Sequence, residues 1–175
     1  MIQVSSKVPE FFKIPYYKEG KIGQLSLENF KGKWIALVFY PRDFTFVCPT
    51  ELSELAKLQG EFYKANCEVF ACSTDSEWCH KAWFESDERI KSAKYYVLAD
   101  TNHNFSRTFG VLNEQTGAAF RASFIISPDF VVKWINVSDD NVGRSIKEML
   151  RALKALQTGC LCPADWQPGQ ETLKI

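Results

Sequence analysis

The apolar positions of the chain follow two rhythms that alternate along its length. A nearly unbroken apolar run, Trp34-Ile35-Ala36-Leu37-Val38-Phe39-Tyr40, has the length and continuity of a strand covered on both faces. It stops at Pro41. After Pro49 the spacing changes to that of a helix over 50–65, with Leu52, Leu55, Leu58 and Phe62 recurring along one side. Residues 68–73 read as the next strand, and Ser76 is placed to cap a helix running through Ala82 to Phe84. A short strand over 95–99 closes at Asp100-Thr101-Asn102, and a short helix over 104–109 ends at Gly110. Two further apolar runs, 122–126 and 131–137, flank Ser127-Pro128-Asp129 and predict a β-hairpin. A last helix over about 140–157 aligns Val142, Ile146, Met149, Leu150, Leu153 and Leu156. Residues 1–33 read as an N-terminal approach with turns at Gly20, Gly23 and Gly32. Strand–helix alternation followed by a hairpin and a helix predicts an α/β fold, a sheet with helices on both faces. Residues 1–157 form the domain, and 158–175, with Gly, Pro and polar residues, form a C-terminal tail.

Bulk composition narrows the class. With 175 residues, 46% of them hydrophobic, the chain can build one core without disulfide staples. Lys+Arg and Asp+Glu number 21 each and no basic run stands out, which argues against a nucleic-acid or anionic-membrane surface. A net charge of zero also does little to oppose self-association. The start MIQVSSKVPEFFKI lacks the basic-then-apolar pattern of a signal peptide, and no apolar stretch approaches a membrane span. A cytoplasmic protein is expected. In that compartment, six cysteines point to catalytic, redox-active or inert thiols rather than to structural disulfides.

Cys48 stands out among them. It lies between the strand that stops at Pro41 and the helix that opens at Pro49, in the run Tyr40-Pro41-Arg42-Asp43-Phe44-Thr45-Phe46-Val47-Cys48-Pro49-Thr50-Glu51. Proline is well tolerated in a first helical turn, so Cys48 falls at a helix N-terminus, where free N–H groups and the positive dipole end favour an anion. A thiol so placed is a candidate reactive thiolate. The alternative is a small buried hydrophobe.

The run Pro41-x-x-x-Thr45-x-x-Cys48, continued as Pro49-Thr50-Glu51, resembles the active-site motif of the peroxiredoxins. The string FTFVCPTE is similar to that of the typical two-cysteine branch, whose bacterial members include the C component of alkyl hydroperoxide reductase. The resemblance extends from about Lys7 to Leu173. It implies a thioredoxin-like fold with a central mixed sheet flanked by helices. The implied activity is a thiol-dependent peroxidase that reduces hydrogen peroxide and organic hydroperoxides, in antioxidant defence and redox homeostasis, with no cofactor.

Attack of a thiolate on an O–O bond needs a nucleophile, a nearby cation and donors to the leaving oxygen. Cys48 would be the nucleophile, Thr45 a hydrogen-bond partner of peroxide or thiolate, and Pro41 a rigid element shielding the site. Arg121 heads the run Arg121-Ala122-Ser123-Phe124, and its fork of donors suits the cation's role. Position alone leaves a solvated strand-end arginine equally open; the resemblance favours the site. Arg144 and Glu51 resemble a pair that supports this arginine, with a surface salt bridge as the alternative. Trp83 matches a position near the active-site loop, or is simply a core aromatic.

A Cys48 sulfenic acid would condense with a second thiol. Cys162-Pro163-Ala164-x-Trp166 resembles the family's resolving-cysteine motif. The resemblance implies an intersubunit disulfide in a head-to-tail homodimer, assembly to a decamer, and reduction by a dithiol protein of thioredoxin or flavoprotein disulfide reductase type. Cys160 is an addition to that pattern. It could resolve Cys48 itself, exchange with Cys162 or receive electrons from the reductant. Cys67, read as ending a helix, and Cys72 are expected to be buried and inert, with Cys79 open. A zinc site from Cys79, His80, Cys160 and Cys162 is disfavoured by the C-x-C spacing.

Three departures from the family pattern carry expectations. There is no Gly-Gly-Leu-Gly between Trp83 and Leu98, and no Tyr-Phe helix after Trp166, which together imply resistance to overoxidation. The link from the last helix to Cys162 is also short, Thr158 to Leu161. Two other function classes stay open, a holdase chaperone and a dithiol reductase using Cys160-Leu161-Cys162. The latter is weakened because Cys48 has proline, not cysteine, beside it.

Overall fold

The structure is a computed structural model that describes residues 2–9 and 13–174; residues 10–12 of the N-terminal approach and both terminal residues lie outside the described residues. Its organising element is the central strand β3 (Trp34–Phe39), in which every residue but Trp34 is buried. Successive strand side chains point to opposite faces, and this apolar run therefore feeds two cores. Ala36 and Val38 pack with Leu52, Leu55, Phe62, Trp83 and Leu153 on one side, and Ile35, Leu37 and Phe39 with Phe105, Phe109 and Phe124 on the other.

Helix α1 (Cys48–Lys64) carries the chain from β3 to the fully buried β4 (Cys67–Ser73), and α2 (Glu77–Ser86) from β4 to β5 (Tyr96–Ala99), both crossovers giving parallel pairs. Ser76 caps α2 by accepting the Cys79 N–H. After α3 (Asn104–Phe109) and a two-residue hairpin of β6 (Leu112–Asn113) with β7 (Ala118–Ala119), β8 (Arg121–Ile126) runs antiparallel to β3. Strand β9 (Val132–Ser138) pairs antiparallel with β8. The N-terminal hairpin of β1 (Ile14–Lys18) and β2 (Lys21–Leu25) joins through β5, giving a seven-stranded mixed sheet in the order β2-β1-β5-β4-β3-β8-β9. Helices α1, α2 and α4 (Ile146–Thr158) contribute to one core, and α3 to the other.

Three expectations need correction. Gly23 lies in β2 opposite Tyr16, not in a turn, and a Cβ there would sit 2.8 Å from the Tyr16 hydroxyl; the glycine permits close approach. Cys67 opens β4 and ends no helix. The last helix starts only at Ile146, because Ser145 caps it by accepting the Glu148 N–H; Val142 falls in the preceding loop and is exposed. In the segment 158–174, Gly159 ends α4 with φ +66°, a single bridge pairs Leu161 with Leu173, and Trp166 is buried. Among the described residues no helix is long and apolar enough to cross a membrane.

Candidate active site

Strand β3 makes its last ladder-like contact at Tyr40, whose N–H donates to the Cys72 carbonyl. Pro41 then turns the chain into a loop, and α1 begins at Cys48 with Pro49 in its first turn. Cys48 is completely buried. Its sulfur lies 3.4 Å from Nη1 of Arg121, the first residue of β8. Because β8 pairs directly with β3, the end of one strand presents the cation to the helix that follows the other.

Arg121 is itself buried and held on three sides. Nε donates to the Asp140 carbonyl at 2.8 Å, and Nη1 donates to Glu51 Oε2 at 2.8 Å as well as facing Cys48. Glu51, one helical turn after Cys48, is the hub. Its Oε1 accepts from the Arg144 backbone N–H and Nε, at 2.7 and 2.8 Å, and its Oε2 accepts from Arg144 Nη2 and Arg121 Nη1. Arg144 Nη1 reaches Ser123 Oγ at 3.0 Å. Burial alone would raise the Glu51 carboxyl, but the Arg144 and Arg121 guanidiniums outweigh it and hold the group below the usual carboxylate range. Two guanidiniums against one carboxylate leave one positive charge over in this group. A thiolate on Cys48 would neutralise it.

The structure thus brings Cys48, Arg121, Glu51 and Arg144 into one buried cluster, and neither arginine is a surface residue. Thr45 lies on the loop that leads into α1, outside this cluster of contacts. Its hydroxyl donates to the Arg42 carbonyl at 2.9 Å, which commits its proton and leaves its lone pairs to accept from a bound O–H. Pro41 is half-buried at the loop's start. Cys160 and Cys162 lie elsewhere, beyond the C-terminal end of α4, with Cys162 Sγ 3.7 Å from the Ala155 carbonyl. Burial pushes the thiols of Cys67 and Cys72 well up, as expected of inert cysteines. Cys79 is pushed up to about 12 by burial and by the carboxylates of Asp43 and Asp75, which disfavours a nucleophilic role.

A second buried polar group, which no motif in the sequence marks, anchors the loop. Tyr40 Oη donates to Asp43 Oδ1 at 2.7 Å, and His80 of α2 places Nδ1 2.7 Å from Asp43 Oδ2 and Nε2 3.1 Å from the Leu98 carbonyl. With both ring nitrogens so engaged, His80 is not available to a zinc ion. Burial first, then the adjacent Asp43 carboxylate, pushes the Tyr40 phenol well above its ordinary value, keeping it an O–H donor. The Asp43 N–H donates to Asp75, and Trp83 packs against Tyr40 with Phe44 over it. Trp83 is therefore a core aromatic and a support of the loop at once. A weaker sequence signal for His80 did exist: it shares a buried face of α2 with Trp83 and Phe84. Asp43→Ala removes the buried carboxylate that Tyr40 and His80 both face, an expected loss of about 1–3 kcal/mol in chemical denaturation.

The AhpC/TSA family model matches residues 4–135, and the chain belongs to that family. It is 45% identical to a putative peroxiredoxin, YkuU of Bacillus subtilis, over 97% of each chain. It is 42% identical to a thioredoxin peroxidase of Echinococcus granulosus, over 99% of this chain and 94% of that one. The crystal structure of the reduced Plasmodium vivax 2-Cys peroxiredoxin superposes with a TM-score of 0.93 at 34% identity, covering 99% of this chain and 94% of that one. The fold is accordingly the thioredoxin-like fold of the peroxiredoxins.

Proposed function

We propose that this chain is a thiol-dependent peroxidase in which Cys48 reduces hydrogen peroxide and organic hydroperoxides. The observation that carries the reading is the Cys48 sulfur 3.4 Å from Arg121 Nη1 at the head of a helix. The Cys48 thiolate attacks the distal peroxide oxygen, the O–O bond breaks, and the other oxygen leaves as RO⁻ to be protonated to alcohol or water. Cys48 is left as a sulfenic acid. Arg121 faces the sulfur, so it stabilises the thiolate and the charge that develops on the bond being broken. Thr45 accepts from the hydroperoxide O–H, Pro41 fixes the loop, and Glu51 with Arg144 position Arg121.

The sulfenic acid then condenses with Cys162 of a second copy, losing water and forming a disulfide that a dithiol protein of thioredoxin or flavoprotein disulfide reductase type reduces. Cys48 is fully buried and Cys162 is tucked against its own α4, so this step requires the first turn of α1 to open and the Cys162 segment to come away from α4. Association into dimers, and of dimers into a decamer, is supported by the zero net charge and by Phe44 and Phe46, which lie 59% and 92% exposed on the loop. Six free thiols suit the reducing cytoplasm.

The reading is tested on non-reducing gels of the wild type and Cys162→Ser after one equivalent of peroxide. A covalent dimer is expected to form at early times in the first and at no time in the second; an undiminished dimer in Cys162→Ser removes Cys162 from the mechanism. Arg121→Lys keeps a charge but loses the fork that reaches Asp140, Glu51 and Cys48 together. Stopped-flow measurement should show the peroxide rate constant down by about 10²-fold.

A further inference from the structure

The chain carries a thiol that this two-cysteine cycle does not use. Gly159 ends α4 in the left-handed region, and the next residues are Cys160-Leu161-Cys162. Leu161 is pinned as an extended residue by its bridge to Leu173, whose N–H donates to the Leu161 carbonyl at 2.8 Å. Residues on either side of an extended position project to the same face. Cys160 and Cys162 accordingly line one groove of about 450 Å³, walled by Trp134 of β9 and Ala152, Ala155 and Leu156 of α4. Thr158 holds both ends of the pair: its Oγ1 accepts the Cys160 N–H at 3.1 Å and lies 3.4 Å from Cys162 Sγ. Cys160 is exposed, whereas Cys162 is half-buried.

We infer that Cys160 is a relay thiol that takes the disulfide over from Cys48, so that the form presented to the reductant is a Cys160–Cys162 disulfide within one chain. The step rests on the Cys48–Cys162 reading above and balances without an added oxidant. The Cys160 thiolate attacks Sγ of Cys162 in the intersubunit disulfide; the Cys160–Cys162 bond forms and the Cys48–Cys162 bond breaks. The electron pair leaves with Cys48, which returns as a thiolate to the Arg121 cluster. A dithiol protein then reduces the Cys160–Cys162 pair and is itself oxidised to a disulfide. Attack by a thiol two residues away is intramolecular, at an effective concentration far above that of a separate reductant. It also moves the oxidised group from a junction between two chains to an open groove, where an incoming dithiol has access to the sulfur it must attack.

The full-length protein and its Cys160→Ser variant are each treated with one equivalent of hydrogen peroxide. Both are quenched with N-ethylmaleimide over a time course and examined on non-reducing gels and by mass spectrometry of the tryptic peptide 155–174, which contains both tail cysteines. In the wild type the covalent dimer is expected to rise and then decay to monomer. As it decays, peptide 155–174 becomes two hydrogens lighter and unlabelled, and Cys48 regains its reaction with maleimide. In Cys160→Ser the dimer should persist at least about tenfold longer. A wild-type dimer that persists with Cys160 still labelled by maleimide overturns the relay alone. Failure of the Cys48–Cys162 crosslink to form at any time in Cys160→Ser overturns the parent reading and the relay with it.

Discussion

Cys48→Ser is expected to lower peroxide consumption by more than about 10³-fold while leaving the fold in place. Serine is the smaller, near-isosteric replacement in a fully buried position, and its oxygen can still accept from Arg121 Nη1 as the sulfur does. The cluster therefore keeps its hydrogen bonds, and stability should change by no more than about 1 kcal/mol. What disappears is the ionisable nucleophile, since a hydroxyl does not supply an anion at neutral pH in the way a thiol can. Peroxide loss followed with a small dithiol as reductant, beside a denaturant melt of the same variant, separates the two effects. Retention of full peroxide consumption would move the activity to another thiol. Holdase activity, or insulin reduction through Cys160 and Cys162, should survive the substitution if either belongs to the protein.

The second large effect falls on stability. Glu51→Ala removes an acceptor that takes four hydrogen bonds from two arginines. It leaves both guanidiniums buried without a counter-charge, and breaking a buried pair from one side typically costs about 3–5 kcal/mol. That is a large share of the roughly 5–15 kcal/mol that holds an ordinary domain together, so the denaturation midpoint should fall sharply. The pH dependence has a definite sign. The Glu51 carboxyl is held below its ordinary value in the folded protein, so the unfolded chain binds its proton at a higher pH than the folded one does. Its contribution is complete above the unfolded value of about 4.3 and is lost as pH falls from there through the folded value. The wild type should therefore lose stability below that pH more steeply than Glu51→Ala. Parallel acid limbs for the two proteins would show that Glu51 is not the group responsible.

Much of this architecture was legible because β3 and α1 obey simple periodicities, and because a proline on each side of Cys48 marks where one ends and the other begins. Strand β8 was also legible, including the arginine at its head. The start of α4 was not. Val142 matches the apolar spacing, but the Arg144 backbone N–H is given to Glu51, which keeps the segment out of the helix until Ser145 can cap it. The Tyr40–Asp43–His80 group escaped for a different reason. Each residue alone looks like loop or core, and only the seating of α2 beside the loop that follows β3 makes them neighbours. The N-terminal hairpin was obscured by Gly23, whose lack of a side chain signals a turn locally and a packed tyrosine in three dimensions.

The bond from Arg121 to Cys48 spans 73 residues of chain, and those from Arg144 to Glu51 span 93. During synthesis, which proceeds from the N-terminus at roughly 5–20 residues per second, Cys48 thus emerges long before the cation that faces it. Until the last third of the chain has left the ribosome, Cys48 has the head of α1 but no Arg121 guanidinium beside it. The proposed reactivity toward peroxide is expected in full only when β8 docks beside β3 and the loop before α4 reaches Glu51. A chain interrupted before residue 121 would hold the motif that marks the family and lack both arginines of the cluster.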